Sequence, residues 1–256
     1  MSAITIAITN QKGGVGKTTT AVNLSFYLAK TGYRVLLIDF DPQGNATSGL
    51  GIDKSGLSAS MLNVMDGTNN LKSITTDLPF KNLTLAPATP DLANAEPGLA
   101  TAADRFNRLK NAIAAVSDSY DTIIIDVPPS LGLLTVNALT AANYVLLPVQ
   151  AEFYAMEGLS MLLETMQLVR KKLNPTLSLI GVLVTMFNNT TLSKQVYEEV
   201  AKHFPGKVFE TKIPRNVRLA EAPSNGLPVG AYDGLSKGAR AYKAATKELI
   251  GRINGD

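Results

Sequence analysis

The stretch TNQKGGVGKTTT, residues 9–20, decides the fold. It follows a β-rich run, AITIAIT at residues 3–9, and leads into residues 18–32, where apolar side chains recur at helical spacing before Gly32. A glycine-rich turn between a strand and a helix lets backbone N–H groups converge on phosphate oxygens at the helix N-terminus. The stretch therefore predicts a phosphate-binding loop between a strand and a helix.

Apolar runs of strand length recur along the chain, at residues 34–39, 82–88, 121–126, 144–149 and 179–185. Helical patterns at residues 156–173 and 236–253 accompany them, whereas residues 46–99 predict short elements and surface loops. Apolar strands that alternate with helices indicate an α/β fold with a mainly parallel, twisted sheet and helices on both faces. We expect one domain over residues 1–256, because this length suits a single core and no linker interrupts it.

The composition is that of a soluble globular protein, with 45% hydrophobic and 18% charged residues. No apolar run approaches the ~18 residues that a membrane-spanning helix needs. The N-terminal MSAITIAITNQ lacks the basic head of a secretory signal. With no cysteine in the chain, disulfides, thiolate metal sites, iron–sulfur clusters and cysteine nucleophiles are excluded.

The loop matches the general P-loop pattern only as a variant. Gly16, Lys17 and Thr18 fit the end of that pattern, but Gln11 stands where the first glycine belongs. Lys17 can reach the β- and γ-phosphates of ATP, and the Thr18 hydroxyl can bind Mg²⁺. The predicted nucleotide-binding residues of the loop are Gly13, Gly14, Val15, Gly16, Lys17, Thr18 and Thr19.

Three aspartates follow two of the predicted strands. Asp126 ends one apolar run, and Asp39 and Asp41 lie at the end of another. An aspartate after a strand is often only a cap or turn residue, but the carboxyl ends of parallel strands share one edge with the loop. We therefore expect Asp39 and Asp126 to join Thr18 as Mg²⁺ ligands, and Asp41 to orient the attacking water.

Positive charge is concentrated toward the C-terminus. Residues 194–256 hold 11 Lys and Arg against 7 Asp and Glu, within a chain of net charge +3. Such a bias is typical of a solvated face or of a surface for an anionic partner. The charge pattern alone leaves both interpretations open.

Five stretches in this order resemble the deviant Walker A ATPases of the ParA/MinD class, and most of all the chromosomal ParA (Soj) branch. They are KGGVGKTT, LLIDFDPQGNATSGLG, DTIIIDVPPSLGLLTVNAL, PVQAEFYAMEGLSML and IPRNVRLAEAPSNGLPVGAYDGLSKGARAY. The resemblance covers nearly the whole chain. It implies an ATPase with ATP and Mg²⁺ as cofactors.

The resemblance also implies a role for the second lysine of the loop. In that family two subunits close over two ATP molecules, and each signature lysine reaches the nucleotide of the other subunit. Lys12 is the matching residue, so the catalytic set becomes Lys12, Lys17 and Asp41. Residues 39–45 and 126–130 would be the two switch segments, and the protein a monomer without ATP and a homodimer with it.

The implied cycle takes place in the cytoplasm, on the nucleoid. The ATP dimer binds DNA without sequence preference, and a ParB-like activator stimulates an otherwise slow hydrolysis to segregate a chromosome or plasmid. The matching residues for DNA are Arg218 and Arg215, with Lys237 and Arg240 as further candidates, and Pro214 and Arg215 are matched to the adenine-contacting segment.

One stretch departs from the family. After LVTMF the family carries an Asp-x-Arg-Thr-Asn-Leu-like stretch with a DNA-binding arginine, whereas this chain continues NNTTLSK, residues 188–194. Either Lys194 substitutes for the arginine absent near residue 189, or the DNA affinity is lower than in the family.

Several alternatives share the loop. Nitrogenase-reductase-like electron carriers need cysteines that this chain lacks. A MinD-like membrane-surface ATPase needs a C-terminal amphipathic helix, but here the strong aliphatic residues are only Leu249, Ile250 and Ile253, so we expect no membrane partner. A metabolic P-loop kinase or ligase stays open, as does a ParA-type ATPase that positions a protein cluster or microcompartment.

Overall fold

The computed structural model describes residues 3–152 and 159–255, which form a seven-stranded sheet in the order β3-β4-β2-β5-β1-β6-β7. The strands are β1 (Ile4–Ile8), β2 (Val35–Asp39), β3 (Thr76–Asp77), β4 (Leu83–Ala86), β5 (Thr122–Asp126), β6 (Tyr144–Gln150) and β7 (Ser178–Thr185). Every pairing is parallel except that of β3 with β4. All six predicted strands are confirmed, and only the two-residue β3 is additional.

The described helices are α1 (Lys17–Lys30), α2 (Asn45–Gly49), α3 (Met61–Asp66), α4 (Leu71–Ile74), α5 (Ala95–Leu99), α6 (Arg108–Ala114), α7 (Leu133–Ala141), α8 (Leu159–Lys172), α9 (Thr191–His203), α10 (Val217–Glu221), α11 (Val229–Tyr232) and α12 (Lys237–Asn254). Of these, α1 to α8 lie in the connections between strands, and α9 to α12 follow β7. The predicted helix at residues 156–173 is described from Leu159 onward, and residues 156–158 lie outside the described ranges. Ser236 caps α12, because its hydroxyl accepts a hydrogen bond from Ala239 N at 3.1 Å.

The sheet is covered on both faces, because successive strand residues point to opposite sides. Ile123 and Ile125 of β5 belong to a core that includes residues of α3, α6, α7 and α8. Ile124 of the same strand belongs to a second core, with residues of α1 and α12. All five residues of β2 and of β5 are buried. The predicted α/β architecture with helices on both faces is confirmed.

Helix α12 is fastened to the edge strand β7 by Arg252. Its guanidinium donates to Ile180 O at 3.1 Å and to Val208 O at 2.7 Å, and stacks over the Phe209 ring at 4.3 Å. Glu248, one turn earlier, pairs with it at 3.0 Å and accepts hydrogen bonds from two backbone amides of residues 210–211. The Arg252–Glu248 pair therefore attaches α12 to the edge of the sheet.

We expect Arg252→Ala to lower the free energy of unfolding by about 2–4 kcal/mol, because it leaves carbonyls unpaired and strips Glu248 of its cation. Urea unfolding at neutral pH measures the loss. Lys202→Ala is the control, since Lys202 is 75% exposed and its pair with Glu199 spans 3.7 Å. If Arg252→Ala lowered the free energy of unfolding as little as Lys202→Ala, the contacts of Arg252 would not stabilise the fold.

Candidate nucleotide site

The predicted loop lies between β1 and α1, and its backbone requires glycine at two positions. Gly14 and Gly16 have φ angles of 75° and 87°, in the left-handed region that L side chains rarely adopt. Lys17 is the first residue of α1, so the unpaired N–H groups of the helix N-terminus face the loop. The strand, loop and helix are confirmed in the predicted order.

Lys17 is almost completely removed from solvent. Its side chain reaches back over the loop, where Nζ donates to Lys12 O at 3.2 Å, and the residue is 8% exposed. Burial lowers the pKa of the Lys17 ammonium, while the nearby carboxylates of Asp126 and Asp41 oppose that shift. A desolvated cation held against a helix N-terminus is suited to bind an anion such as a phosphate.

Asp39 and Asp126 are neighbours across the carboxyl ends of β2 and β5, where they are register partners, and both are buried. Asp39 Oδ2 accepts hydrogen bonds from Thr47 N and Thr47 Oγ1, each at 2.7 Å, and Oδ1 accepts one from Asp41 N at 3.3 Å. Burial raises the pKa of Asp39 to about 6 against the effect of these bonds. Asp39 therefore orders the segment after β2, a role that the sequence did not reveal.

Asp126 differs because neither of its carboxylate oxygens has a hydrogen-bond partner within the described part of the chain. Burial raises its pKa well above the ordinary value, and the Asp39 charge adds to the shift, while the Thr18 hydroxyl and Lys17 oppose it. A buried carboxylate without partners costs free energy unless a cation or proton neutralises it. Its position beside Thr18 fits a bound divalent cation.

The described residues contain no cluster of three or more Asp, Glu, His or Cys side chains that could hold a metal alone. Mg²⁺ keeps several waters and commonly takes one or two protein oxygens together with substrate phosphates. Thr18 and Asp126 supply such a donor set. Asp39, whose oxygens already accept three hydrogen bonds, supports the segment beside that set.

Asp41 lies in a turn directly after β2 and is 7% exposed. Its Oδ1 accepts a hydrogen bond from Gln43 N at 2.9 Å, and Gly44 N donates to its carbonyl at 2.8 Å. The carboxylate is close enough to Lys17 to oppose the lowering of the pKa of that ammonium. The turn therefore holds an acidic side chain beside the phosphate-binding lysine.

Two further residues shape the loop, and the sequence reasoning did not name them. Thr185, at the end of β7, donates through Oγ1 to Val15 O at 2.8 Å. Asn10 donates through Nδ2 to Pro148 O at 2.8 Å and accepts from Lys12 N at 3.0 Å. Both are buried, and Thr185 ends β7 while Asn10 lies two residues after β1. A polar residue at or just beyond the end of an apolar run was the available signal.

Lys12 lies on the exposed side of the loop. Its Nζ is 3.7 Å from Glu152 Oε2, and Arg215 Nη2 is 3.9 Å from the other oxygen of the same carboxylate. Exposed ion pairs at such distances contribute little to stability. The Lys12 ammonium is thus accessible, with a side chain that is 37% exposed.

The segment that contains Pro214 and Arg215 pairs with the chain beyond β7. Phe187 forms a parallel bridge with Pro214, its N–H donates to Ile213 O at 2.9 Å, and Arg215 N donates to Phe187 O at 3.3 Å. Since Thr185 contacts the loop, the end of β7 connects this segment to the phosphate-binding residues. The predicted adenine segment and the loop therefore share one edge of the sheet.

The residues predicted to bind DNA lie on three helices and one loop. Lys194 is on α9, Arg218 on α10, and Lys237 and Arg240 on α12, while Arg215 precedes α10. Arg218 already has carboxylate partners, with Nη1 at 2.7 Å from Glu221 Oε2 and Nε at 3.3 Å from Asp233 Oδ2. A DNA phosphate would have to compete with two acids for Arg218.

Comparisons with known proteins show the family of the chain. A model of the AAA domain family matches residues 3–179. The sporulation initiation inhibitor protein Soj of Bacillus subtilis is 55% identical over 245 residues, which are 95% of this chain and 97% of that protein. The chromosome partitioning protein ParA of Myxococcus xanthus is 48% identical over 248 residues, 96% of this chain and 88% of that protein.

A solved structure has the same fold across the whole chain. It is described as cobyrinic acid a,c-diamide synthase from Mycobacterium smegmatis with bound ATP analogue and magnesium, and it superposes with a TM-score of 0.87 at 38% identity. The match covers 98% of this chain and 96% of that chain. The chain belongs to the AAA domain family and, within it, to the ParA/MinD class of ATPases in the Soj branch.

Proposed function

We propose that the protein is an ATP-dependent partition ATPase of the chromosomal ParA type. The observation that carries the proposal is the buried carboxylate of Asp126, without a hydrogen-bond partner among the described residues, beside a loop that holds Lys12 and Lys17 at the start of a helix. The names of the relatives in Bacillus subtilis and Myxococcus xanthus support a partition role. The bound ATP analogue and magnesium in the Mycobacterium smegmatis structure support both cofactors.

In this proposal the loop amides of Gly13 to Gly16 bind the phosphates, and the Lys17 ammonium neutralises their charge. Thr18 and Asp126 would hold Mg²⁺, which would supply positive charge beside the phosphates. Asp41 accepts a hydrogen bond from the attacking water and orients it. Asp39 fixes the position of Asp41 through its own hydrogen bond with the Asp41 amide.

Lys12 acts across a dimer that closes over the nucleotide edge of the sheet. An ammonium supplied by the second subunit adds positive charge at the γ-phosphate only after association, which couples ATP binding to dimerisation and dimerisation to hydrolysis. The dimer binds DNA without sequence preference, and a ParB-like activator releases it by stimulating a slow hydrolysis. The protein then acts in the cytoplasm, at the nucleoid.

Retention on a long DNA of arbitrary sequence tests the proposal. We expect retention with ATP and Mg²⁺ but not with ADP, and a steep fall in affinity with salt, because phosphate contacts release counterions. Retention that is equal in all nucleotide states would contradict ATP gating. Transfer of phosphate to a small acceptor instead of water would favour a metabolic enzyme. The Mycobacterium smegmatis structure, which is described as a synthase, is the reason to test for it.

A protein that does not bind DNA would instead use a protein or membrane surface as its matrix. Within residues 3–152 and 159–255, no helix is long and apolar enough to cross a membrane. We propose no membrane partner. Retention on anionic vesicles, but not on DNA, would favour the MinD-like alternative, and retention on neither would favour a protein surface as the matrix.

We expect Arg218→Glu to weaken ATP-dependent DNA binding by about tenfold or more, because it removes a phosphate contact and adds a repelling charge. Fluorescence anisotropy with labelled duplex DNA measures the change. Lys171→Glu makes the same change of charge on α8, against the opposite face of the sheet, and should shift affinity far less. If both variants lost the same DNA affinity, Arg218 would contribute only through the net charge of the protein.

We expect Thr185→Val to weaken ATP binding by about fivefold to tenfold, since it leaves Val15 O without its buried donor and loosens the loop. Calorimetric titration with a non-hydrolysable ATP analogue measures the effect. Thr165→Val is the control, because its hydroxyl bonds only within α8, to Met161 O at 2.8 Å. An affinity like that of the parent would show that β7 does not hold the loop.

A further inference from the structure

Two adjoining cavities open beside the C-terminal half of α1, and one of them extends along α12. Each has a volume of about 710 Å³. One lies between the C-terminal end of α1 and the turn before β4, and the other lies between α1 and α12; they share Lys30 and Gly230. We call them together the basic groove, after the cations that line it: Lys30, Lys81, Arg240, Lys243 and Lys247.

The positive charge of the basic groove has no acidic counterpart. Arg240, Lys243 and Lys247 are exposed and recur at spacings of three and four residues, so they lie on one face of α12. In the described part of the chain, none of the five cations is within ion-pair distance of a carboxylate. Like charges at such spacing destabilise a helix slightly, so a charged occupant of opposite sign is favoured.

The wall of the basic groove is apolar and rigid. The rings of Phe26 and Phe80 meet edge to face at 5.3 Å, and Lys30 Nζ lies 5.4 Å from the Phe26 centroid. A side chain at Gly230 would collide with Phe26 and with Tyr27, at 2.5 Å and 2.6 Å, so the helices pack closely at the junction of the cavities. On the α12 side, Ile250 adds a half-buried aliphatic surface.

The two helices that form the second cavity are also fixed relative to each other. The hydroxyls of Thr20 on α1 and Tyr242 on α12 form a buried hydrogen bond of 3.0 Å. Both helices bury apolar residues in the same core. The basic groove is therefore preformed, which lowers the ordering cost of binding.

We propose that the basic groove binds an acidic segment of a partner protein, with Asp or Glu side chains on the cations and an apolar side chain in the cavity. Charge complementarity selects an anion, and the concave apolar wall distinguishes a peptide from duplex DNA. A duplex presents phosphates on a convex surface and has no apolar side chain to fill a cavity. Arg240, which the sequence assigned to DNA, belongs to this groove.

The position of the groove makes the proposed interaction independent of nucleotide. Helix α1 begins at the phosphate loop, whereas the groove contacts α1 only from Phe26 to its end, so no residue of the loop lines the groove. The acidic partner therefore binds the monomer and the dimer alike, without regard to nucleotide. This independence separates the inference from the proposed function, since either can fail alone.

Fluorescence anisotropy with the full chain tests the proposal. The probe is a short labelled peptide in which Glu residues alternate with Leu and Phe, and its two counterparts carry Gln in place of Glu or Ser in place of Leu and Phe. We expect saturable binding of the acidic apolar peptide, equal without nucleotide, with ADP and with an ATP analogue. Both counterparts should bind about tenfold more weakly. Absence of binding, or equal binding of the three peptides, overturns the proposal.

Charge-reversal variants locate the site. Lys243→Glu with Lys247→Glu should weaken peptide binding by about tenfold or more and leave nucleotide binding unchanged, since both side chains are exposed. The control pair Lys171→Glu with Lys172→Glu makes the same change at the end of α8 and should retain binding. Equal losses in both pairs overturn the proposal. If duplex DNA displaces the peptide, and Lys243→Glu with Lys247→Glu also loses DNA binding, the groove is a DNA site. That result overturns the proposal as well.

Discussion

Lys12→Ala is expected to remain a monomer with ATP and Mg²⁺, and its ATP turnover should fall by about a hundredfold. The Lys12 side chain is 37% exposed, and its closest acid, Glu152, is 3.7 Å away, so the variant should fold like the parent. What it loses is the cation that the proposed dimer supplies to the γ-phosphate of the second subunit. Light scattering gives the molecular mass, and phosphate release gives the turnover.

Lys17→Ala is the matched comparison, because it removes the other lysine of the loop. Lys17 is buried against the helix N-terminus, so its loss should abolish ATP binding itself. Lys12→Ala should retain ATP binding in the monomer, which calorimetry can measure. If Lys12→Ala dimerised and hydrolysed ATP like the parent, the role of Lys12 across the dimer would be wrong.

Asp126→Asn is expected to stabilise the nucleotide-free protein at neutral pH and to abolish Mg²⁺-dependent ATP turnover. Burial holds the pKa of Asp126 well above its ordinary value, so the folded protein binds a proton at pH values where the unfolded chain, with a pKa of about 4, has lost it. The free energy of unfolding therefore falls as the pH rises above about 4. The neutral amide removes this cost, so the variant should have a higher free energy of unfolding than the parent at pH 7.

The difference in unfolding free energy between Asp126→Asn and the parent should grow as the pH rises above about 4, and urea unfolding from acid to neutral pH measures it. Asp121→Asn should change the pH dependence of the unfolding free energy in the opposite direction. Hydrogen bonds from Arg34, one of them at 2.7 Å, lower the pKa of Asp121, so its carboxylate stabilises the fold above the unfolded pKa and loses this effect in acid. Destabilisation by Asp126→Asn at neutral pH would contradict the account of an uncompensated charge.

The parts of the site that are local in sequence could be predicted. The glycine loop, its strand and its helix appear in one stretch, and Asp39 and Asp126 could be expected to meet because the carboxyl ends of parallel strands share an edge. The acceptor bonds of Asp39 could not be predicted, since Thr47 reaches it only through the turn and short helix after β2.

The contact between the end of β7 and the loop could not be predicted from the sequence. Thr185 and Val15 are 170 positions apart, and their hydrogen bond depends on the final packing of β7 beside the loop. Helix α7, LLTVNALTA, was not singled out, because apolar residues surround it on every side and give no stripe. The two-residue β3 is too short for any alternation to be visible.

The measurement that tests the central claim most directly is the molecular mass of the parent protein in solution with Mg²⁺ and a non-hydrolysable ATP analogue, with ADP, and without nucleotide. The account predicts the mass of two chains with the ATP analogue and of one chain in the other two conditions. Sedimentation equilibrium resolves these masses. A single-chain mass in all three conditions, at protein concentrations that saturate nucleotide binding, would contradict the ATP-gated dimer.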